Sequence, residues 1–83
     1  MNKDEKISIL AEIAKKHFPN AEIKKSSLIK RVRVIDKELV LSVYPNGIIS
    51  LYSEEHYNRA VNLAEEYKEV FKKDAYIDTH YGF

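Results

Sequence analysis

Residues 38–57 hold two apolar-rich runs on either side of Pro45-Asn46-Gly47, with a helix start immediately after them. In Tyr44-Pro45-Asn46-Gly47-Ile48 the proline suits the first central position of a type I turn and Asn46 tolerates the second. Gly47 then supplies the left-handed residue of a bulge. This three-residue loop pairs Tyr44 with Ile48, Val43 with Ile49, Ser42 with Ser50, Leu41 with Leu51 and Val40 with Tyr52. A two-residue Asn46-Gly47 loop would pair Leu41 with Tyr52 and Ser42 with Leu51, scattering aliphatics over both faces. A slip of one residue is costly where one face is buried, so the bulged register is expected.

The neighbouring strands follow from that register. A tight turn at Asp36-Lys37 pairs Val34 with Leu39, Arg33 with Val40, Val32 with Leu41 and Arg31 with Ser42. A further strand from Ala21 to Lys25 returns through Ser26-Ser27 and sets Glu22 opposite Arg31. The inner face then holds Ala21, Ile23, Val32, Val34, Leu39, Leu41, Val43, Ile49 and Leu51. The outer face reads in rows: Ile29–Tyr44–Ile48, Arg31–Ser42–Ser50 and Arg33–Val40–Tyr52.

Two helices bracket the strands. Ile7, Leu10, Ala11, Ala14 and Phe18 recur at helical spacing, Asn2 and Glu5 suit a capping box, and Pro19 stops the segment, which predicts a helix over 3–17. Ser53 is a favoured N-cap, and Glu54 and Glu55 suit the positive end of a helix dipole. The stripe Tyr57, Ala60, Val61, Ala64, Tyr67, Val70, Phe71 predicts a second helix from 54 to 72 or 73. Tyr52 and Tyr57 occupy the positions of a hydrophobic staple.

The expected fold is α+β: a two-layer sandwich of N-terminal helix, four-stranded antiparallel meander and C-terminal helix, with both helices on one sheet face. Residues 1–83 are expected to form a single small domain. The aromatic tail, 75–83, is too apolar to hang free and is expected to pack on the domain, as an added edge strand, or on a partner chain.

Composition narrows the chemistry. The chain has no cysteine, which excludes disulfides and thiolate zinc sites and suits a reducing cytoplasm. No apolar run approaches the ~18–20 residues of a membrane helix, and the charged start Met1-Asn2-Lys3-Asp4-Glu5-Lys6 does not read as a secretory signal. His17, His56 and His80 lack the spacing that places two imidazoles on one helical face, so no metal is expected. Gly47 and Gly82 are the only glycines, too few for a phosphate-cradling loop. Ser42 and Ser50 face each other without an evident base, so nucleophilic catalysis has no support. The expectation is a protein without enzymatic activity and without a cofactor.

Charge is unevenly spread under a formal net of +1. Residues 20–37 carry Lys24, Lys25, Lys30, Arg31, Arg33 and Lys37 against Glu22 and Asp36, whereas residues 54–74 carry an acidic excess. A basic segment attracts acidic partners, and lysines also guard sheet edges.

The block from Glu38 to Tyr67, hairpin and then long helix, is similar to one half of a TATA-box-binding protein, a family that binds DNA through a concave sheet face. It departs in having one half repeat, no initial strand and no phenylalanine pair where that family wedges DNA open. The order helix, meander, helix is also similar to the double-stranded-RNA-binding domain. That family's lysine cluster at the start of the second helix is replaced here by Glu54-Glu55-His56.

The outer sheet face is the candidate site. Ile29, Arg31, Arg33, Val40, Tyr44, Ile48 and Tyr52 share it, and tyrosine and arginine are enriched where protein interfaces concentrate their energy. The first expectation is a small domain that binds another protein, as inhibitor or adaptor, or itself as a homodimer. Compact cysteine-free chains rich in Lys, Ile, Glu, Asn and Tyr are frequent among viral or mobile-element products, which makes an anti-CRISPR role one form this could take. The alternative is a nucleic-acid-binding module using Lys24, Arg31, Arg33, Tyr44 and Tyr52.

Overall fold

In the computed structural model, which describes residues 1–82, α1 (Lys3–His17) is followed by β1 (Glu22–Ser26), β2 (Arg31–Asp36), β3 (Glu38–Val43) and β4 (Ile48–Leu51). A 3-10 turn, Glu54–His56, leads into α2 (Tyr57–Phe71), and the chain returns as β5 (Tyr76–Thr79). The sheet has five strands in the order β1-β2-β3-β4-β5. The fold is α+β, but with one strand more than the meander expected from sequence. β5 lies parallel to β4, because it returns to the sheet through α2. The segment that supplies it is the aromatic tail, and Phe83 lies outside the described residues.

The β3–β4 hairpin has the bulged register, pairing Leu41 with Leu51, Ser42 with Ser50 and Val43 with Ile49. Gly47 adopts φ +96° and its N–H donates to the Tyr44 carbonyl at 3.0 Å. The β2–β3 register differs from the sequence reading by two residues: Val32 pairs with Val43, Arg33 with Ser42 and Val34 with Leu41. The connection turns on Lys37 alone, at φ 69°, so Asp36 faces Glu38. A bulge then follows, since Ile35 pairs with Leu39 while Val34 pairs with Leu41. A slip of two preserves the faces of Val32, Val34, Leu41 and Val43, but the bulge exchanges two of their neighbours. Val40 is driven into the core at 1% exposure, while Leu39 is half-buried opposite Ile35 on the outer side.

β1 also differs. It runs one residue further than expected, Ser26 faces Arg31, and Glu22 faces Ile35 instead of Arg31. Residues 27–30 form the turn, which leaves Ile29 exposed there and outside any strand.

Both helices cover one face of the sheet, α1 over β1 and β2, α2 over β4 and β5. Ile7, Leu10, Ile13, Ala14 and Phe18 of the first segment meet Ala60, Leu63, Ala64 and Tyr67 of α2 over Val32, Val34, Leu41, Val43, Ile49 and Leu51. Asn2 caps α1 by accepting the Glu5 N–H at 2.8 Å. Ser53 behaves otherwise: its hydroxyl contacts His56 Nδ1 at 2.7 Å instead of capping the backbone, and the first turn tightens to 3-10.

The helices are tied together at one end by Glu66, whose carboxylate meets Lys16 Nζ at 2.7 Å and His17 Nε2 at 2.7 Å. The Lys16 ammonium, and then His17, hold the Glu66 carboxyl below its ordinary value of 4.5 against a smaller opposing effect of burial. A carboxyl lowered on folding stabilises the protein above its unfolded pKa and loses that contribution as pH falls through the folded one. Because Lys16 is largely exposed, the contribution is at most about 1 kcal/mol. The difference in urea-unfolding free energy between the native protein and Glu66→Gln should therefore shrink as pH falls below the ordinary glutamate value, where the carboxylate is lost. A difference that grows as pH falls from about 4 to about 2 would contradict this assignment.

Candidate interaction face

Strand alternation places a second set of side chains on the face that neither helix covers. Strand register orders them in three rows. The first runs Ser26–Arg31 and continues through Tyr44 to Ile48–Tyr76. The second runs unbroken across all five strands as Lys24–Arg33–Ser42–Ser50–Asp78. The third runs Glu22–Ile35–Leu39 and, past the bulge, Tyr52 and His80.

The middle of this face is low and its flanks are tall. Ser42 and Ser50 are 1% and 7% exposed although no helix lies above them, because longer neighbours overhang these short side chains. Ile48, Tyr52 and Tyr76 are exposed around them, and Tyr44 is half-buried with its hydroxyl 3.5 Å from Arg31 Nη1. Tyr52 stacks on the His80 ring, centroids 4.8 Å apart. His80 Nε2 is 3.1 Å from Asp78 Oδ2, an exposed pair at the β5 edge.

The arginines are the unusual feature. Nε of Arg31 and Nε of Arg33 are buried with no hydrogen-bond acceptor among the described residues. Neither guanidinium joins any of the ion pairs among those residues, which are formed instead by lysines and histidines. An unpaired buried donor costs about 1–3 kcal/mol. Two such donors side by side on a strand call for an explanation beyond stability.

Of the described tail residues beyond β5, His80 lies on this face, stacked on Tyr52, and Tyr81 does not. Tyr81 packs against the hydrophobic core, where burial raises its phenol pKa and the Glu54 charge adds to the effect. Only β5 itself contributes to the outer surface, through Tyr76, Asp78 and, just beyond the strand, His80.

Of the residues nominated from sequence, Arg31, Arg33, Tyr44, Ile48, Tyr52 and Lys24 are brought together on this face. Val40 leaves it for the core and Ile29 lies apart in the 27–30 turn. Sequence reasoning did not nominate Ile35, put Leu39 on the inner face because the bulge carries no mark, and left Tyr76, Asp78 and His80 unplaced because the register of the added edge strand was not fixed. The alternation of Ile77 with Tyr76 and Asp78 was the available signal for that strand.

Ser42 and Ser50 have no histidine within hydrogen-bond reach, and the Ser–His contact among the described residues, Ser53 to His56, spans three positions of a helix start. No group of three or more His, Cys, Asp or Glu among those residues is placed to hold a metal ion. No helix is long and apolar enough to cross a membrane.

Comparison with known proteins gives no significant match to a family model, to a curated protein or to a solved structure.

Proposed function

We propose that the chain is a non-enzymatic protein-binding domain, an inhibitor or adaptor whose docking surface is the helix-free sheet face. One observation carries this reading. That face combines exposed Ile48, Tyr52 and Tyr76 with Arg31 and Arg33, whose guanidiniums join no ion pair among the described residues. Tyrosine and arginine around a small, water-excluding centre are the residues that concentrate binding energy in protein interfaces. A partner presenting carboxylates would give these two guanidiniums the charge partner they lack among the described residues.

The test is the double substitution Tyr44→Ala with Ile48→Ala. These side chains flank the turn of the β3–β4 hairpin, half-buried and exposed, so far-ultraviolet circular dichroism should be unchanged and the melting temperature should fall by only a few degrees. Cross-linking capture of the protein partner recovered with the native chain should be lost, with affinity reduced on the order of a hundredfold if two hot-spot residues are removed. Undiminished capture by the folded double variant would exclude this face as the docking surface.

Lys24, Arg31 and Arg33 lie on adjacent strands of this face with Tyr44 and Tyr52, an arrangement that also suits single-stranded nucleic acid. Asp78 in the middle row and Glu22 at the edge weigh against a phosphate backbone there. Nucleic-acid affinity that falls by about 0.7–0.9 log units per log unit of salt for each phosphate neutralised would favour this second reading.

A further inference from the structure

The middle row of the open face is charged at both ends and small at its centre. It reads Lys24, Arg33, Ser42, Ser50, Asp78 from β1 to β5. We infer that this face is self-complementary and that its occupant is a second copy of the chain, joined across a two-fold axis parallel to the strands and lying over the gap between β3 and β4. The inference rests on the reading of that face as a protein-docking surface.

The geometry follows from the row order alone. Rotation about such an axis exchanges β3 with β4 and β2 with β5, and it leaves each row facing its own copy. In the middle row Ser42 meets Ser50 of the second copy, and Arg33 meets Asp78, twice over by symmetry. Arg33 is in no ion pair among the described residues and Asp78 is exposed with only His80 beside it, so both charges are available. The first row then sets Tyr44 over Ile48 and Arg31 over the exposed ring of Tyr76, a cation–π arrangement. The third row sets Leu39 over Tyr52 and Ile35 over His80. The two serines let the sheets approach where the larger side chains interdigitate on either side, as in aligned sheet packing. Apart from edge residues, each outer-face position finds a chemically compatible one, and no like charges are brought together. Lys24 falls beyond the partner's β5 edge.

The footprint sets the strength. Four overlapping strands spaced ~4.8 Å apart and about five residues long cover on the order of 300 Å² per copy. A standard interface buries about 800 Å² per partner. The dimer is therefore weak and concentration-dependent.

Sedimentation equilibrium from about 10 μM to about 1 mM, a span suited to weak interfaces, tests this. The native chain should move from monomer to dimer across that range. Arg33→Glu alone and Asp78→Arg alone each set like charges opposite one another twice, and each should weaken association by about tenfold or more. In an equimolar mixture of those two variants, the introduced glutamate of one copy faces the introduced arginine of the other, and the native Arg33–Asp78 contact is kept on the second side. The mixture should therefore recover association, as should the double variant Arg33→Glu with Asp78→Arg. Recovery also shows that the single variants had not simply misfolded. A native chain that stays monomeric at the top of the range overturns the inference, as does a dimer indifferent to either reversal or a mixture that does not recover. If the native chain stays monomeric while the Tyr44→Ala, Ile48→Ala variant still loses a different protein partner, only the second copy is excluded and the docking face stands.

Discussion

Tyr67→Ala should destabilise the domain by about 3–5 kcal/mol, the range for removing a buried aromatic side chain. Native small domains hold only about 5–15 kcal/mol in total, so the variant should be substantially unfolded near its native melting range. Tyr67 is fully buried on α2, and it is also polar. Its hydroxyl donates to the Pro45 carbonyl at 2.7 Å, which ties the helix to the β3–β4 turn. Its ring packs against Phe71 at 4.7 Å between centroids, and Lys6 of α1 lies 5.5 Å above it. One side chain therefore joins both helices and the hairpin. Tyr67→Phe separates the contributions, because it keeps the ring and leaves the Pro45 carbonyl without that donor, at about 1–2 kcal/mol. Urea-unfolding free energies should rank native, then Phe, then Ala, with the larger gap between Phe and Ala. A Phe variant as unstable as the Ala variant would mean that the hydrogen bond outweighs the packing, contrary to this account.

How much of this was legible in the sequence varies with the residues that mark each turn. The β3–β4 register could be read because Pro45, Asn46 and Gly47 each restrict the backbone in a known way. The β2–β3 turn carried no such mark. Its left-handed residue is Lys37, an ordinary side chain at φ 69°, and a bulge at Val40 has no sequence signature of its own. The alternation rule still placed Val32, Val34, Leu41 and Val43 correctly, since a slip of two keeps the face. It misplaced Leu39 and Val40, where the bulge breaks the alternation. β5 was legible in part: the apolar tail reads as an added edge strand or a partner-docking segment, but its register on β4 was not legible. Four residues that pair in parallel after a helix look like tail, and without them the middle row stopped at Ser50. The acidic end of the open face, at Asp78, became visible only when the chain was folded.

Gly47→Ala is the second severe substitution, and its damage should be concentrated in β5. The backbone at φ +96° strains any side chain, at about 1–3 kcal/mol. A methyl group there also has nowhere to go: a Cβ on Gly47 would lie 2.5 Å from the Asp74 carbonyl oxygen and 3.2 Å from the Tyr67 ring. Asp74 lies two residues before the strand, and the Gly47 carbonyl accepts the Tyr76 N–H at 2.9 Å, so the turn forms the seat on which β5 begins. Relieving the clash means lifting that segment. The combined cost is about 2–4 kcal/mol, which for a domain of this size lowers the melting temperature by roughly 10–25 °C. Asparagine tolerates positive φ far better than alanine but carries the same Cβ. If close approach to β5 dominates, Gly47→Asn should be nearly as damaging as Gly47→Ala. Amide hydrogen exchange should then show early loss of protection at residues 76–79 while Leu41 and Ile49 remain protected. An asparagine variant close to native stability would assign the cost to backbone strain alone. Uniform loss of protection across the sheet would show that the turn does not hold β5 in particular.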